Sequence, residues 1–295
     1  FNPLRLSGTA RLADARWTAG FDAATPAGQA LGRAELRHDT RDGRGGITFD
    51  TGLLAFADKG LQPIQLSPAA TALASPVEGR AQFVGHVDWT PQGAVSGGTL
   101  TVPGLDFQSA AGKVSGLKGV VAFSSLAPLA AAPGQTLSAQ SIAAIVPITD
   151  VTAVFGLDDK ALTVTGGQAS VGGGQVRIET LSVPFAADAP MTGVLALEGV
   201  QLHDLVEASP FGDRVDLDAR VSGRVPFESR GGKVRIPQAE LHAVQPGRLS
   251  IARQALTGVA AAGSVAAPAG PAAAVPPTDT FTDFAYQAME NLAFQ

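Results

Sequence analysis

The chain has 295 residues, of which 45% are hydrophobic and only 16% charged, with a formal net charge of −5. It is too apolar for a disordered protein, and its scattered basic residues exclude the clustered Lys and Arg of a nucleic-acid surface. The absence of Cys excludes disulfide frameworks and thiolate metal sites. The 35 Gly and 20 Pro residues disfavour a long helical bundle. Because the sequence starts with Phe1, we interpret it as a fragment of a longer chain.

Alternation of apolar and polar residues with a period of two predicts β-strands along most of the chain. The pattern is weakest in the first eighty residues and clear from Phe83 onwards, where Phe83, Val87 and Trp89 alternate with polar neighbours. It is longest at 214–227, which predicts one very long strand or two strands joined by a kink at Gly223. Spacings of 8–14 residues between turn signals favour a meandering antiparallel sheet of about sixteen strands.

Pairs of Gly, Pro and Asp residues separate the alternating segments and are predicted to be turns. The pairs are Gly97-Gly98, Pro103-Gly104, Asp158-Asp159, Gly166-Gly167, Gly231-Gly232 and Pro246-Gly247, and Gly172-Gly173-Gly174 is a triplet of the same kind.

The expected fold class is all-β, a long curled antiparallel sheet that forms an apolar groove, with a short C-terminal α-helix. An open sheet of more than about ten strands tends to curl or split. Its apolar face then either encloses an open groove or packs against a second sheet in a sandwich, and alternation alone leaves both alternatives open. The side chains predicted to line the groove are Leu162, Val164, Val176, Ile178, Val215, Leu217, Ala219, Val221, Val234 and Ile236.

Helical patterns are confined to two segments of the sequence. Residues 202–209 could form two turns, and residues 279–295 carry apolar side chains at i, i+3, i+4 and i+7, which predicts an amphipathic helix. The preceding segment 258–278 is rich in Ala, Gly and Pro and is predicted to be a linker. The predicted domains are therefore a β-groove segment at 1–257, the linker and the helix.

No catalytic or metal-binding constellation emerges from the sequence, and no cofactor is expected. The Asp50-Thr51-Gly52 triplet of aspartic proteases occurs once, whereas that chemistry needs two carboxylates, so we predict a surface turn that ends a strand. The four His residues lack the spacing of metal ligands, and no nucleophile elbow is present. These observations argue against an enzyme.

An ordered series of Gly-, Pro- and Leu-containing segments resembles the C-terminal part of the YdbH family of envelope proteins, which is often labelled a "dicarboxylate transport" domain. The resemblance covers residues 45 to 295 and not the first 45 residues. The segments that carry it are 60–63, 66–68, 96–100, 104–107, 112–119, 126–129, 132–135, 197–200, 223–227 and 246–251.

This resemblance, to a family related to the AsmA-like and TamB bridge proteins, implies a function and a location. It implies a Gram-negative periplasmic protein anchored in the inner membrane by a segment outside this sequence. It further implies a β-groove that carries phospholipid acyl chains toward the outer membrane, and a small outer-membrane lipoprotein that engages its C-terminal strand edge by β-augmentation. The alternatives are a structural or adhesive β-rich surface protein without a ligand and a dicarboxylate-transport protein, which would need convergent Arg or Lys side chains.

Overall fold

The computed structural model describes residues 3–66, 74–109, 112–144, 146–186, 188–207, 215–230 and 233–251. Sixteen of its described strands form one antiparallel sheet, and two others form a separate two-stranded sheet. The sheet is not closed, and the all-β expectation is confirmed.

The first nine strands and the first helix of the chain precede residue 144. They are β1 (Arg5–Ala13), β2 (Arg16–Ala24), β3 (Ala30–Asp39), β4 (Gly45–Asp50), β5 (Leu54–Phe56), α1 (Pro63–Leu66), β6 (Ala74–Thr90), β7 (Gly93–Ser109), β8 (Gly112–Leu126) and β9 (Leu129–Ala143).

Nine further strands and a second helix follow. They are β10 (Pro147–Leu157), β11 (Ala161–Val171), β12 (Gly174–Pro184), β13 (Met191–Gln201), α2 (His203–Glu207), β14 (Val215–Asp218), β15 (Arg220–Arg230), β16 (Lys233–Arg235), β17 (Glu240–Ala243) and β18 (Arg248–Ile251). The strand order of the large sheet is β1-β2-β3-β4-β6-β7-β8-β9-β10-β11-β12-β13-β15-β16, with β5 paired to β6 and β17 paired to β15. Strands β14 and β18 form the separate sheet.

The chain divides into two compact units. Unit 1 comprises residues 1–144 and 149–165, and unit 2 comprises residues 145–148 and 166–295. Each unit has its own cluster of buried apolar side chains.

The unit 1 core contains side chains of β5, of the segment that follows it and of neighbouring strands. Phe56 and Leu61 from this segment are buried together with Leu31 and Val77. Gln62 holds the segment in place, because its side-chain amide donates to the carbonyl oxygen of Val77 at 3.0 Å and its Oε1 accepts from the Val77 N–H at 2.8 Å. A buried amide is stable only when it is hydrogen-bonded in this way.

Three of the predicted turns are wrong. Gly97-Gly98 and Pro103-Gly104 lie inside the 17-residue strand β7, and Gly166-Gly167 lies inside β11. At Gly98 the physical reason is visible, because a Cβ atom there would lie 2.5 Å from the Phe83 ring. Glycine is therefore needed in this strand for close packing and does not mark its end. The turn predicted at Asp158-Asp159 is confirmed between β10 and β11.

The long alternating run at 214–227 is divided at Ala219 and not at Gly223. Its first part forms β14, which pairs with β18, and its second part forms β15, which pairs with β13 and β17. Gly223 stays inside β15, where a Cβ atom would lie 1.9 Å from the carbonyl oxygen of Glu240. The choice of partner strand thus divides the run, and alternation within one strand carries no information on partners.

Helix α2 falls within the predicted segment 202–209. The predicted linker at 258–278 and C-terminal helix at 279–295 lie outside the described residues. Within the described ranges, no helix has the length and apolar character needed to cross a bilayer.

Candidate functional site

One face of the unit 1 sheet carries apolar side chains in register across neighbouring strands. Ala19 of β2 lies opposite Leu36 of β3, Leu36 opposite Ile47 of β4, and Ile47 opposite Val87 of β6. Directly paired residues of an antiparallel sheet project to the same face. We define the unit 1 apolar face by Trp17, Ala19, Phe21, Leu36, Ile47, Phe49, Phe83, Val87, Leu100 and Phe123.

The large side chains of the unit 1 apolar face are only partly covered by protein. Leu36, Ile47, Phe49 and Val87 are half-buried, and Trp17 is 39% exposed. On the adjoining β1, Leu6 and Leu12 project to this face and are 61% and 53% exposed. An exposed contiguous apolar surface of this kind marks an interaction site in a protein.

Aromatic rings form a band across the unit 1 apolar face. The rings of Phe49 and Phe83 stack at a centroid distance of 5.3 Å, and the Phe123 ring lies 6.2 Å from that of Phe83. Gly85 and Gly98 stand between these rings, and a Cβ atom at either position would lie 2.7 Å or less from a ring carbon. The glycines thus let the aromatic rings lie against the backbone of the neighbouring strand.

The opposite face of the same strands is charged and ion-paired. Arg16 contacts Asp39 at 3.2 Å, and Arg33 contacts Asp22 at 3.3 Å and Glu35 at 3.7 Å. Exposed pairs of this kind contribute between 0 and about 1 kcal/mol each, so their main significance is that they identify the water-facing side of the sheet.

Asp39 and Asp50, at the ends of β3 and β4, have lowered pKa values. A hydrogen bond from the backbone N–H of Arg41 is the largest cause of the lowered pKa of Asp39, and the Arg16 guanidinium adds to it. The pKa of Asp50 is lowered by hydrogen bonds from the Gln82 side chain and the Gly52 N–H. Both groups accept several hydrogen bonds in their charged form, which is the ordinary state of a structural surface carboxylate.

Unit 2 has a second apolar face, which includes two of the predicted lining residues. Val176 lies opposite Leu197, and Ile178 lies opposite Leu195. All four side chains are half-buried. The Phe227 ring on β15 covers Gly193 of β13, where a Cβ atom would lie 2.7 Å from the ring.

The ion pairs of unit 2 mark its polar side. Arg177 pairs with Glu198, and Arg224 pairs with Glu179. The Glu179 carboxylate raises the pKa of Arg224, first through its hydrogen bond and then through its charge.

Three other predicted lining residues lie in a packed cluster. Leu217, Ala219 and Val221 are 7%, 4% and 3% exposed and pack against Leu197, Leu202 and Val206. The cluster forms where α2 lies against β14, and the Leu202 N–H donates to the Ala219 carbonyl oxygen at 2.9 Å. These side chains form a local core rather than an accessible surface.

The remaining predicted lining residues are dispersed. Leu162 is half-buried and Val164 is buried on β11, and Ile236 is buried just beyond β16. Val215 and Val234 lie in β14 and β16, but their side chains are outside the described part of the structure.

None of the predicted lining residues belongs to the unit 1 apolar face, and sequence reasoning identified no alternation in its part before Phe83. The available signal was the alternation of Trp17, Ala19, Phe21 and Ala23 with polar or small residues. It was obscured because Ala and Gly occupy many of the apolar positions in this part of the chain.

Two other sequence features have no direct role in this site. Asp50-Thr51-Gly52 is a surface turn at the end of β4, as predicted, with the Gly52 N–H donating to Asp50 Oδ1 at 2.7 Å. On the exposed helix α2, potential ligand atoms of His203, Asp204 and Glu207 lie within 4.8 Å of one another. Exposed groups of this kind on a five-residue helix do not define a metal site.

Comparison with known proteins yields a family and no individual relative. The family model described as "YdbH-like: Intermembrane phospholipid transport protein YdbH" matches residues 1–267. The match includes the first 45 residues, which the sequence resemblance left out, and it stops before the predicted C-terminal helix. No curated protein and no solved structure matches the chain.

Proposed function

Because the chain belongs to the YdbH-like family of intermembrane phospholipid transport proteins, we propose that its unit 1 apolar face is a track for phospholipid acyl chains. Family membership makes phospholipid the transported partner and the cell envelope the place of action. Our proposal is that the unit 1 apolar face is the lipid track and that the acyl chains are the part of the lipid that contacts it.

The observation that carries this proposal is the incomplete burial of in-register apolar side chains. Leu36, Ile47 and Val87 form a row across three strands, and each remains half-buried. Each CH₂ group of an acyl chain that such a row removes from water contributes about 0.8 kcal/mol. This gain comes from non-directional apolar contact, so a lipid can move along such a row, from one strand to the next, at nearly constant free energy.

The polar face supports the same assignment. In unit 1, Arg16 and Arg33 contact carboxylates of the chain itself, and in unit 2 Arg177 and Arg224 do the same. Within each unit the two arginines pair with different carboxylates, whereas a dicarboxylate site would require side chains that converge on one position. Apolar contact is therefore the chemistry by which these faces would recognise a ligand.

The proposed location, membrane anchor and protein partner rest on the family resemblance. We propose a periplasmic location, an inner-membrane anchor outside this sequence and contact with a small outer-membrane lipoprotein. β-Augmentation needs an edge strand with free backbone donors and acceptors, and β16 ends the strand order of the sheet.

Photocrosslinking tests the proposed track directly. A photoreactive phenylalanine analogue placed at Leu36 in the full-length protein is expected to capture ³²P-labelled phospholipid in growing cells. The matched control is the same analogue at Arg37, the next residue of β3, which projects to the polar face. Labelling at Leu36 alone supports the track, whereas equal labelling at both positions or none at Leu36 contradicts it.

A further inference from the structure

Both tryptophans of the chain lie in one row at a single end of the unit 1 apolar face. Trp17 of β2 lies opposite His38 of β3, His38 lies opposite Gly45 of β4, and Gly45 lies opposite Trp89 of β6. We call Trp17, His38 and Trp89 the aromatic rim. It stands at the ends of its strands, since β3 ends at Asp39 and β6 ends at Thr90.

The members of the aromatic rim are held in a defined arrangement. The Trp89 indole N–H donates to His38 Nδ1 at 3.3 Å, and the two ring centroids are 6.0 Å apart. The Trp89 ring covers Gly45, where a Cβ atom would lie 2.4 Å from Cζ2. Because Nδ1 of His38 accepts this hydrogen bond, the neutral imidazole carries its proton on Nε2, which is then a donor.

The aromatic rim separates an apolar region from a charged one. Leu36 and Val87 lie two residues inward from His38 and Trp89 on the same face. The ion pair of Arg44 with Asp42 lies in the turn immediately outward, and that of Arg16 with Asp39 lies one residue outward on the opposite face. Side chains with an apolar ring and a polar ring atom, such as Trp and His, are favoured at the boundary between an apolar region and water.

The other end of these strands is closed. Leu31 on β3 and Val77 on β6 are buried in the unit 1 core, and Ala23 on β2 packs against it. From Trp17 to Ala23 the strand extends for about 20 Å at 3.3 Å per residue. The hydrocarbon of one bilayer leaflet is about 15 Å deep, half the thickness of the bilayer core. An acyl chain lying along the strands thus fits between the aromatic rim and the closed end.

We propose that the aromatic rim binds the glycerol-ester region of a phospholipid while its acyl chains run along the strands toward the unit 1 core. His38 Nε2 donates to an ester carbonyl, which is an acceptor that diacyl glycerophospholipids share. This inference rests on the proposed function, and it adds the orientation of the lipid and a polar contact that fixes it.

Tryptophan quenching by brominated lipid tests this orientation. The full chain is loaded with phosphatidylcholine that carries bromine at acyl carbons 6,7, at 9,10 or at 11,12. The signal of the two rim tryptophans is obtained by subtracting the spectrum of a Trp17→Phe/Trp89→Phe double variant. Quenching is expected to be strongest for the 6,7-bromolipid and weakest for the 11,12-bromolipid, because the rings lie at the ester level.

The outcomes separate this inference from the function on which it rests. Bound bromolipid with the reverse order of quenching, or with equal quenching at all depths, overturns the orientation and leaves the track in place. Failure of the chain to bind any of the three bromolipids overturns the track and the orientation together.

A pair of lipids tests the polar contact separately. We expect wild-type protein to bind a diacyl phosphatidylcholine about fivefold more tightly than its dialkyl ether analogue, which lacks the ester carbonyls. His38→Phe keeps an aromatic ring and is expected to abolish this preference. A preference that persists in His38→Phe, or is absent from the wild type, overturns the assignment of His38.

Discussion

A single charge on the unit 1 apolar face should strongly slow lipid movement without unfolding the chain. Ile47→Asp and Thr48→Asp place the same carboxylate at adjacent positions of β4. Ile47 projects between Leu36 and Val87 on the apolar face, whereas Thr48 lies between Glu35 and His86 on the polar face. The two variants therefore differ in the face that receives the charge and not in the strand that carries it.

The expected magnitudes follow from the environment of Ile47. Its side chain is half-buried, so we expect its replacement to lower the free energy of unfolding by only about 1–2 kcal/mol. An acyl chain passing the new carboxylate meets a charge in hydrocarbon, which costs about 3 kcal/mol. Since 1.4 kcal/mol corresponds to a factor of ten, passage should slow by roughly 100-fold in Ile47→Asp.

The assay measures the rate at which pulse-labelled phospholipid reaches the outer membrane of cells that depend on this protein. Urea unfolding of both purified variants is the control for stability. Thr48→Asp should transport at close to the wild-type rate. Normal transport by Ile47→Asp would refute the reasoning. Global unfolding of Ile47→Asp would also refute it, because several kcal/mol are lost only when a charge enters a closed core.

Four further perturbations test the packing and electrostatics of the described residues. Gln62→Ala should lower the free energy of unfolding by about 2–4 kcal/mol in urea titration, because it leaves the buried backbone groups of Val77 unpaired. A loss under about 1 kcal/mol would argue that the hydrogen bonds of Gln62 to Val77 do not hold this segment in place. Gly85→Val should lower the free energy of unfolding by about 1–3 kcal/mol, because the new side chain displaces the aromatic rings. Adding Phe83→Ala should recover part of that loss in a double-mutant cycle. Strictly additive effects of the two substitutions would argue against contact between position 85 and the Phe83 ring. Leu217→Asp should unfold unit 2, detected as lost amide-exchange protection there, whereas a fully protected variant would place Leu217 on an open surface. The lowered pKa of Asp50 means that its carboxylate stabilises the fold above about pH 4 and that this contribution is lost as the pH falls through the folded pKa. Asp50→Asn should therefore make the free energy of unfolding depend less on pH in the acid range. An unchanged pH dependence would contradict the assigned hydrogen bonds.

Local alternation predicted the strand class and, within a strand, which side chains share a face. Val176 and Ile178 do share a face with Leu197 and Leu195 across two strands, because a period of two is a property of each strand alone. The burial of Leu217 could not be obtained in this way, since it depends on pairing between β14 and β18 and on the position of α2.

Non-local contacts account for the remaining differences. Gly85 and Gly98 are typical turn residues by local criteria, yet they lie inside strands because aromatic rings occupy the space of a side chain. Gln62 is polar and would be expected at the surface, but its partner Val77 lies fifteen residues away and allows its burial. The aromatic rim likewise exists only because the strand registers bring Trp17 and Trp89 into one row.

The most direct test of the lipid track is the phospholipid content of the full-length protein purified without detergent. Lipid is extracted from the pure protein and quantified by mass spectrometry against the molar amount of chain. The account predicts phospholipid in at least equimolar amount, and a marked reduction in Ile47→Asp but not in Thr48→Asp. Folded protein that carries no phospholipid above the level of a mock purification would contradict it.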